Sequence, residues 1–325
     1  MGLLAQKVLG ISLDEVSFDR RRFRGFDQPA RPHLEEAGRS FITGYMAALS
    51  DDRLGPLMAR LSQVPAERRG FAFEGAAMGL ALLDFFKPWR RSRFHEFYEG
   101  PGQPHTYLLL VGKGWAMARL PGSVDKTLAR LDPLLRWLAL DGYGFHEGFF
   151  HWPQAIDGQK VPKRVSGYGA RAFDQGVGRS LWFVEGAAPD RIAATIGRFP
   201  EPRQGDLWSG VGLACGYAGG IGRAAVERLA ELAGPHLLDL AQGVAFAAAA
   251  RQRAGNLTAA SEIACDVVWG SSAGSVADIA VTAGLDLPDD GPELPFEIWR
   301  QRIQKRLEER LEPCSSDSRS SARTA

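Results

Sequence analysis

The chain has 325 residues, a formal net charge of +1 at pH 7, and 45% hydrophobic against 24% charged residues. This is the balance of a globular protein with a substantial core. The near-neutral charge gives no reason to expect a nucleic acid or a membrane as partner, although residues 20–24, RRRFR, form a local basic cluster. Three widely spaced cysteines without a CxxC pair indicate neither a disulfide framework nor a cysteine zinc site.

The sequence also shows no targeting signal. The first residues lack the pattern of a secretory or myristoylation signal. The longest apolar stretches, 107–120 and 237–250, are interrupted by Lys113 and Asp239 and are shorter than the roughly 20 residues that a bilayer requires. We therefore expect buried helices and a cytoplasmic protein.

Apolar residues recur at helical spacing along most of the chain, and no run alternates like a strand, which predicts an all-α fold. Residues 71–86 predict a central helix that ends at Lys87 before a proline. Further helices are predicted over 105–120, 124–140 and 296–311. The predicted organisation is an N-terminal arm (1–30), a first helical repeat (31–152), a linker (153–170), a second helical repeat (171–285), a C-terminal helix (286–312) and a disordered tail (313–325).

The two repeats are predicted from internal similarity. Residues 38–41 match 178–181 at an offset of 140, parts of 68–75 match 203–210 at 135, and parts of 104–118 match 235–249 at 131. Offsets that drift by a few residues are typical of loop deletions between repeated helices. We expect two tandem duplicated repeats packed about a pseudo-twofold axis into one compact unit, with an aromatic-lined pocket between them.

Three short motifs give only weak evidence for a hydrolase, a metal site or a dinucleotide site. Residues 270–274, GSSAG, satisfy G-x-S-x-G, but all six histidines precede Ser272, whereas an α/β hydrolase has its histidine after the serine. His146 and His151 are five residues apart, which on a helix places them about 140° apart and argues against a shared metal. The glycines of 210–222 fall short of a dinucleotide motif. Neither a metal nor a cofactor is expected.

Polar residues present in one repeat only are the candidate catalytic groups. Glu74, Glu147 and Glu185 each precede a glycine in an aromatic setting, where burial raises a carboxyl pKa and allows proton transfer near neutral pH. The alternative for each glutamate is an ion pair with one of the arginines present in both repeats, which are Arg39, Arg68, Arg179 and Arg203. The catalytic candidates are Glu147, His146, His151, Glu185 and Glu74, and the substrate-binding candidates are Trp152, Phe145, Phe149, Trp182, Trp208 and Trp115.

Long segments carry a resemblance to a known family. They are LGISLDEVSF with RGF at 24–26, LEEAGRSFITGY, DGYGFHEGFFHW, RAFDQGVGRSLWFVEGA and DLWSGVGLACGYAGG. Over residues 8–285 the chain resembles a bacterial family of unknown function that is encoded in enediyne polyketide biosynthetic clusters. The resemblance implies a place in secondary metabolism, handling the enediyne core precursor or a related polyene, and it brings no catalytic residues with it.

Two hypotheses about function follow. In the first, the protein is a cofactor-independent enzyme that rearranges or cyclises a hydrophobic polyene, with Glu147 as general acid or base and His146 or His151 as its proton partner. In the second, it is a non-catalytic carrier of a lipophilic intermediate or a partner of a polyketide synthase. A purely structural partner of another protein would have no enclosed cavity.

Overall fold

The structure, a computed structural model, describes residues 2–87, 89, 91–288 and 291–311, with side chains from residue 5 onward. The regular elements of these residues are helices, and none of these residues lies in a β-strand, which confirms the predicted all-α fold. The predicted disordered tail at 313–325, with Cys314, lies outside the described residues. Within the described part, no helix is both long enough and apolar enough to cross a membrane.

The first nine helices run from the N-terminal arm to the middle of the chain. They are α1 (Gly2–Leu9), α2 (Phe18–Arg21), α3 (Arg31–Ser50), α4 (Leu54–Leu61), α5 (Ala66–Phe86), α6 (Arg93–Glu99), α7 (Thr106–Arg119), α8 (Val124–Leu128) and α9 (Trp137–Phe150). A single π-helical turn, Pro153–Asp157, follows α9.

The remaining helices are α10 (Tyr168–Val184), α11 (Pro189–Ile196), α12 (Glu201–Tyr217), α13 (Arg223–Ala233), α14 (Leu237–Arg253), α15 (Ala259–Trp269), α16 (Ala273–Ala283) and α17 (Pro295–Leu311). Short 3-10 turns, Gln103–His105 and Gly234–His236, lead into α7 and α14. Helices α5 and α17 contain the helices predicted over 71–86 and 296–311.

The predicted helix over 124–140 is wrong. The structure divides it into α8 and α9, because Pro133 disfavours a helical conformation at Asp132. The carboxylate of Asp132 then accepts hydrogen bonds from the backbone of Leu134 and Leu135, at 2.9 and 2.8 Å, and so supports the turn. After this break, α9 runs from Trp137 to Phe150.

Eight helices form a row in which each packs against the next: α3, α5, α7, α9, α10, α12, α14 and α16. Glycines at the crossings make the close approach possible. A Cβ atom built on Gly176 of α10 would overlap the carbonyl oxygen of Asp141 in α9, and one on Gly210 would overlap that of Gln175. The alanine-rich helix α14 is buried along nearly its whole length.

The row curves so that its two halves meet. Arg251 donates to the carbonyl of Glu67 at 2.6 Å, and Asn256 donates to the carbonyl of Ala66 at 2.9 Å. At the C-terminal end of α12, the imidazole of His33 lies 2.7 Å from the carbonyl oxygen of Ala218. Helix α17 packs on α14 and α16 and covers one side of the row.

Candidate functional site

Glu147 and two histidines form a polar cluster at the C-terminal end of α9. The Nδ1 atom of His146 lies 3.0 Å from one carboxylate oxygen of Glu147, and the Nδ1 atom of His151 lies 3.2 Å from the other. His146 is buried, Glu147 is partly exposed, and the side chain of His151 is 54% exposed. One carboxylate therefore bridges two imidazoles at the surface.

The structure corrects the spacing argument about the two histidines. A spacing of five residues separates two side chains by about 140° only on a continuous helix. Here α9 ends at Phe150, and His151 has left the helical conformation, with φ −126° and ψ 35°. The two imidazole rings are consequently only 5.7 Å apart. One ligand atom from each of His146, Glu147 and His151 falls within 4.8 Å of the other two.

The pKa of Glu147 differs from expectation. Burial alone would raise it, but hydrogen bonds and charges from His146 and His151 outweigh burial and hold the pKa of Glu147 below its ordinary value. Burial lowers the pKa of His146, against the opposite effect of Glu147. The expected rise of the Glu147 pKa is therefore wrong, because its partners are histidines.

Glu74 fulfils the expectation most fully. It is 1% exposed on α5, and burial, opposed by the charge of Arg179, raises its pKa to about 8. Neither carboxyl oxygen makes a hydrogen bond within the described part of the protein, and the same holds for the nearby indole nitrogen of Trp115. Arg179 lies 4.0 Å away and pairs more closely with Asp141.

A buried polar chain continues from this point across the interior. Gln175 donates to Asp141 at 2.9 Å, and the hydroxyl of Ser209 lies between the amides of Gln175 and Gln242. Gln242 accepts from Arg300 of α17. The members of the buried polar chain are Glu74, Asp141, Arg179, Gln175, Ser209, Gln242, Arg300 and Asp206.

Glu185 belongs to a separate ion pair. Arg24 of the N-terminal arm lies 2.5 Å from its carboxylate, and Thr195 donates to it at 2.8 Å. Burial raises the pKa of Glu185, and these two partners act in the opposite direction. The alternative expected an arginine shared by both repeats, whereas the partner of Glu185 is Arg24, and this ion pair fastens the arm to the end of α10.

The six aromatic candidates do not line one pocket. Trp115, Phe145 and Phe149 pack together, with ring centroids 5.0 to 6.4 Å apart, directly beneath the Glu147 cluster. Trp208 is buried elsewhere in the core. Two of the candidates are held by hydrogen bonds from their indole nitrogens, Trp182 to Gly219 and Trp152 to Arg21.

The expected pocket between the two halves is small. A cavity of about 30 Å³ lies beside Arg179 and Tyr217, under Tyr107, Phe246 and Trp299. It has room for one or two water molecules. A polyene does not fit there.

A much larger cleft of about 720 Å³ is lined by residues of α5, α6, α7 and α8, and by none of the three residues of the Glu147 cluster. Its apolar lining includes Phe85, Phe94, Met117, Leu120, Val124 and Leu131. Its charged lining consists of Asp84, Lys113, Lys126, Arg130 and Arg164, with His95 at the rim. We call this the cationic cleft.

Lys113 occupies the inner wall of the cationic cleft. Its ammonium lies 4.9 Å from the centroid of Phe94, and burial lowers its pKa. The charge of Asp84 acts in the opposite direction on this pKa, while its carboxylate accepts hydrogen bonds from Ser92 and from two backbone amides at the start of α6. Among the described residues, Lys113 makes no ion pair.

The cationic cleft was not predicted from the sequence. The one signal was Lys113 itself, a single charge inside the apolar stretch 107–120. Its neighbours in the cleft come from α5, α6 and α8, and no local pattern connects those segments. The hydrolase-like serine, Ser272, is the N-cap of α16, and Gly270 ends α15 in a left-handed conformation, so that motif is a pair of helix ends.

Comparison with known proteins gives one match. A family model described as a protein of unknown function (DUF1702) matches residues 1–307. No curated protein and no solved structure matches the chain.

Proposed function

Because this chain belongs to the DUF1702 family, whose function is unknown, we propose a function from its geometry: it binds an anionic, mostly apolar small molecule in the cationic cleft. The observation that carries this proposal is Lys113, a partly buried lysine without an ion pair among the described residues, in a cleft of about 720 Å³. Clefts of this size hold typical small-molecule ligands.

The charges of the cleft support an anionic group on the ligand. Lys113, Lys126 and Arg130 face the same space, and none of the three has an ion pair within the described residues. Arg164 is already occupied, since it donates to the carbonyls of Met117 and Leu120 at the end of α7. A carboxylate next to Lys113 would form a charge-assisted hydrogen bond in a partly dry environment.

The apolar walls support an extended hydrocarbon body. A polyene acid fits this description, and the resemblance to proteins encoded in enediyne clusters supports the same class of ligand. The catalytic candidates do not line the cleft, so the geometry favours the carrier hypothesis over the enzyme hypothesis. A polyene-rearranging enzyme stays a prediction that the same assay tests.

The binding experiment compares a linear conjugated tetraene carboxylic acid with its methyl ester, followed by fluorescence titration. We expect Lys113→Met to weaken binding of the acid by about tenfold or more, since a hydrogen bond to a charged group contributes roughly 1.5–3 kcal/mol. The ester should bind wild-type and variant protein equally weakly. Lys305→Met, on the exposed face of α17, is the matched control and should bind the acid normally.

Equal affinity of Lys113→Met and wild type for the acid would contradict the proposal. Product masses and absorbance spectra recorded during the titration separate the two hypotheses. A saturable spectral shift at constant mass indicates a carrier, whereas a new mass with turnover indicates an enzyme.

We further propose that the chain is an internal duplication, with two repeats about a pseudo-twofold axis. Helices α4 and α11 have eight residues each and begin 135 residues apart, as do the starts of α5 and α12. Helices α7 and α14 begin 131 residues apart, each after a short 3-10 turn. This order of elements supports the offsets read from the sequence.

The helix crossings support a different pairing for α3 and α10. Gly44 approaches the carbonyl of Ala72, and Gly178 approaches that of Leu207. Gly44 therefore corresponds to Gly178, in place of the Gly38 that the sequence comparison suggested. An experimental structure tests the duplication: one rotation near 180° should superpose α3, α5 and α7 on α10, α12 and α14, and a failure to superpose would contradict it.

A further inference from the structure

The Glu147 cluster has the composition of a metal site. Two imidazoles and one carboxylate are ligands for zinc and for other divalent transition metals, and zinc sites that carry out chemistry often use three such ligands plus a water molecule. Within the described part of the chain, the side chains of His146, Glu147 and His151 lie close enough together to share one ion.

The separations of the ligand atoms suit a small ion. In a tetrahedral zinc site with bonds of about 2.0–2.2 Å, neighbouring ligand atoms lie roughly 3.3 Å apart. The two nitrogen-to-oxygen distances in the cluster are 3.0 and 3.2 Å. These two distances run to different oxygens of Glu147, and one ligand atom from each of the three residues lies within 4.8 Å of the other two, so a shared ion requires rotation of the side chains to draw the ligand atoms together.

Packing holds two of the three ligands in place. The ring of His146 lies between Trp115, at 5.6 Å and nearly perpendicular, and Phe150, at 5.0 Å. Its backbone and that of Glu147 belong to α9. Rigid support of this kind reduces the cost of arranging the ligands around an ion.

The backbone after α9 positions the third ligand. The amide of His151 donates to the carbonyl of Glu147 at 2.8 Å, and the indole of the next residue, Trp152, donates to Arg21 of the arm at 3.0 Å. The His151 side chain is nevertheless 54% exposed and that of Glu147 is 21% exposed. The open side leaves a fourth position for water or another small ligand.

We propose that His146, Glu147 and His151 bind one divalent transition-metal ion, with Zn²⁺ as the preferred ion. This site is independent of the cationic cleft, since none of its three residues lines that cleft. It uses residues that the spacing argument had set aside, and its open position would allow a water molecule or an anion as the fourth ligand.

Calorimetric titration of the full chain, free of affinity tags and treated with a chelator, tests the site. We expect one equivalent of Zn²⁺ to bind and to raise the melting temperature, because a ligand that binds the folded state stabilises it. Co²⁺ should bind in its place and show the visible absorption bands of a tetrahedral site. Binding of no more Zn²⁺ than a nonspecific background would overturn the proposal.

Variants identify the ligands. His151→Asn removes an exposed ligand without disturbing the core. We expect it to weaken Zn²⁺ binding by about tenfold or more, because removing a residue that only hydrogen-bonds to a metal ligand already costs about that much. Glu147→Gln should have a similar effect. The matched control is His95→Asn, which removes an exposed histidine that also faces a glutamate, Glu99, four residues away.

Melting temperatures of the metal-free variants show whether each one is folded. If His151→Asn and Glu147→Gln both fold and bind Zn²⁺ as tightly as wild type, the cluster is a hydrogen-bonded unit only, and the proposal is wrong. If His95→Asn loses binding as His151→Asn does, the ion binds elsewhere on the surface, and the proposal is also wrong.

Discussion

The carboxyl group of Glu74 shows how burial changes the chemistry of a single residue. Burial raises the pKa of Glu74 from 4.5 to about 8. Over most of that pH range, the folded protein therefore keeps a proton that the unfolded protein has released. Stability then falls as pH rises, since the unfolded state binds fewer protons than the folded state. The loss begins near pH 4.5 and continues through about pH 8.

We therefore expect Glu74→Gln, which resembles the protonated acid, to remove this pH dependence. The difference in unfolding free energy between variant and wild type should increase in favour of the variant from pH 5 to pH 8, by at most about 1.4 kcal/mol per pH unit. Urea unfolding at several pH values measures it. Glu99→Gln, on an exposed ion pair, is the control, and parallel curves for Glu74→Gln and wild type would contradict the prediction.

At the residue scale, the sequence predicts which carboxyl groups are buried better than it predicts which residues pair with them. The aromatic neighbours of Glu74 and Glu185 indicated desolvation, and both pKa values are raised. The same pattern around Glu147 led to the wrong direction, because His151 folds back onto it only after the helix has ended. Lys113 was visible as an isolated charge, but the residues that form its cleft are distant in the chain.

At the scale of elements, glycines determine how closely the helices approach. Gly176→Ala should destabilise the protein by about 1–3 kcal/mol, because its new methyl group would overlap the carbonyl of Asp141 and push α10 away from α9. Gly55→Ala in α4 is the matched control. A Cβ atom there meets nothing within 4 Å, so we expect no loss and a gain of up to about 1 kcal/mol from helix propensity.

Thermal and urea unfolding of the two variants measure this difference. Equal stability of Gly176→Ala and Gly55→Ala would show that the crossing of α9 and α10 can relax, contrary to the prediction.

Helices with a strong apolar pattern and a clear end could be predicted from sequence. Helix α5 ends at Phe86, directly before Lys87, and α17 covers the predicted range with one added residue. The 124–140 segment could not be placed correctly, because its leucines keep a helical spacing through the break at Pro133. At this break, Pro133 and the backbone hydrogen bonds that Asp132 accepts outweigh the helical spacing of the leucines.

At the scale of the whole molecule, the buried polar chain connects α5 to α17. Arg300 is 2% exposed and lies 2.7 Å from Asp206 and 3.2 Å from Glu297. Arg300→Met would leave these carboxylates with Arg171 alone among their arginine partners, and the loss should reach at most about 3–5 kcal/mol, the cost of a fully broken buried pair. We expect that loss in urea unfolding, with faster amide hydrogen exchange along α17.

The control at the same scale is Arg306→Met. Arg306 is exposed and pairs only with Glu309 of its own helix among the described residues, so its removal should cost less than about 1 kcal/mol. If Arg300→Met costs as little as Arg306→Met, the buried polar chain does not hold α17 in place. An arginine partner for Glu74 was an alternative that the sequence left open, but a single sequence does not identify Arg179 as that arginine or Arg300 as the partner of Asp206.

The row of helices also has a consequence for the order of synthesis. Each inner helix packs on the one made just before it, so much of the row can assemble on the ribosome while translation continues, as domains commonly begin to fold from the N-terminal side. Arg300 emerges last among the members of the buried polar chain. Until Arg300 has left the exit tunnel, Gln242 and Asp206 lack this partner. The buried polar chain of the nascent protein should therefore stay incomplete until then.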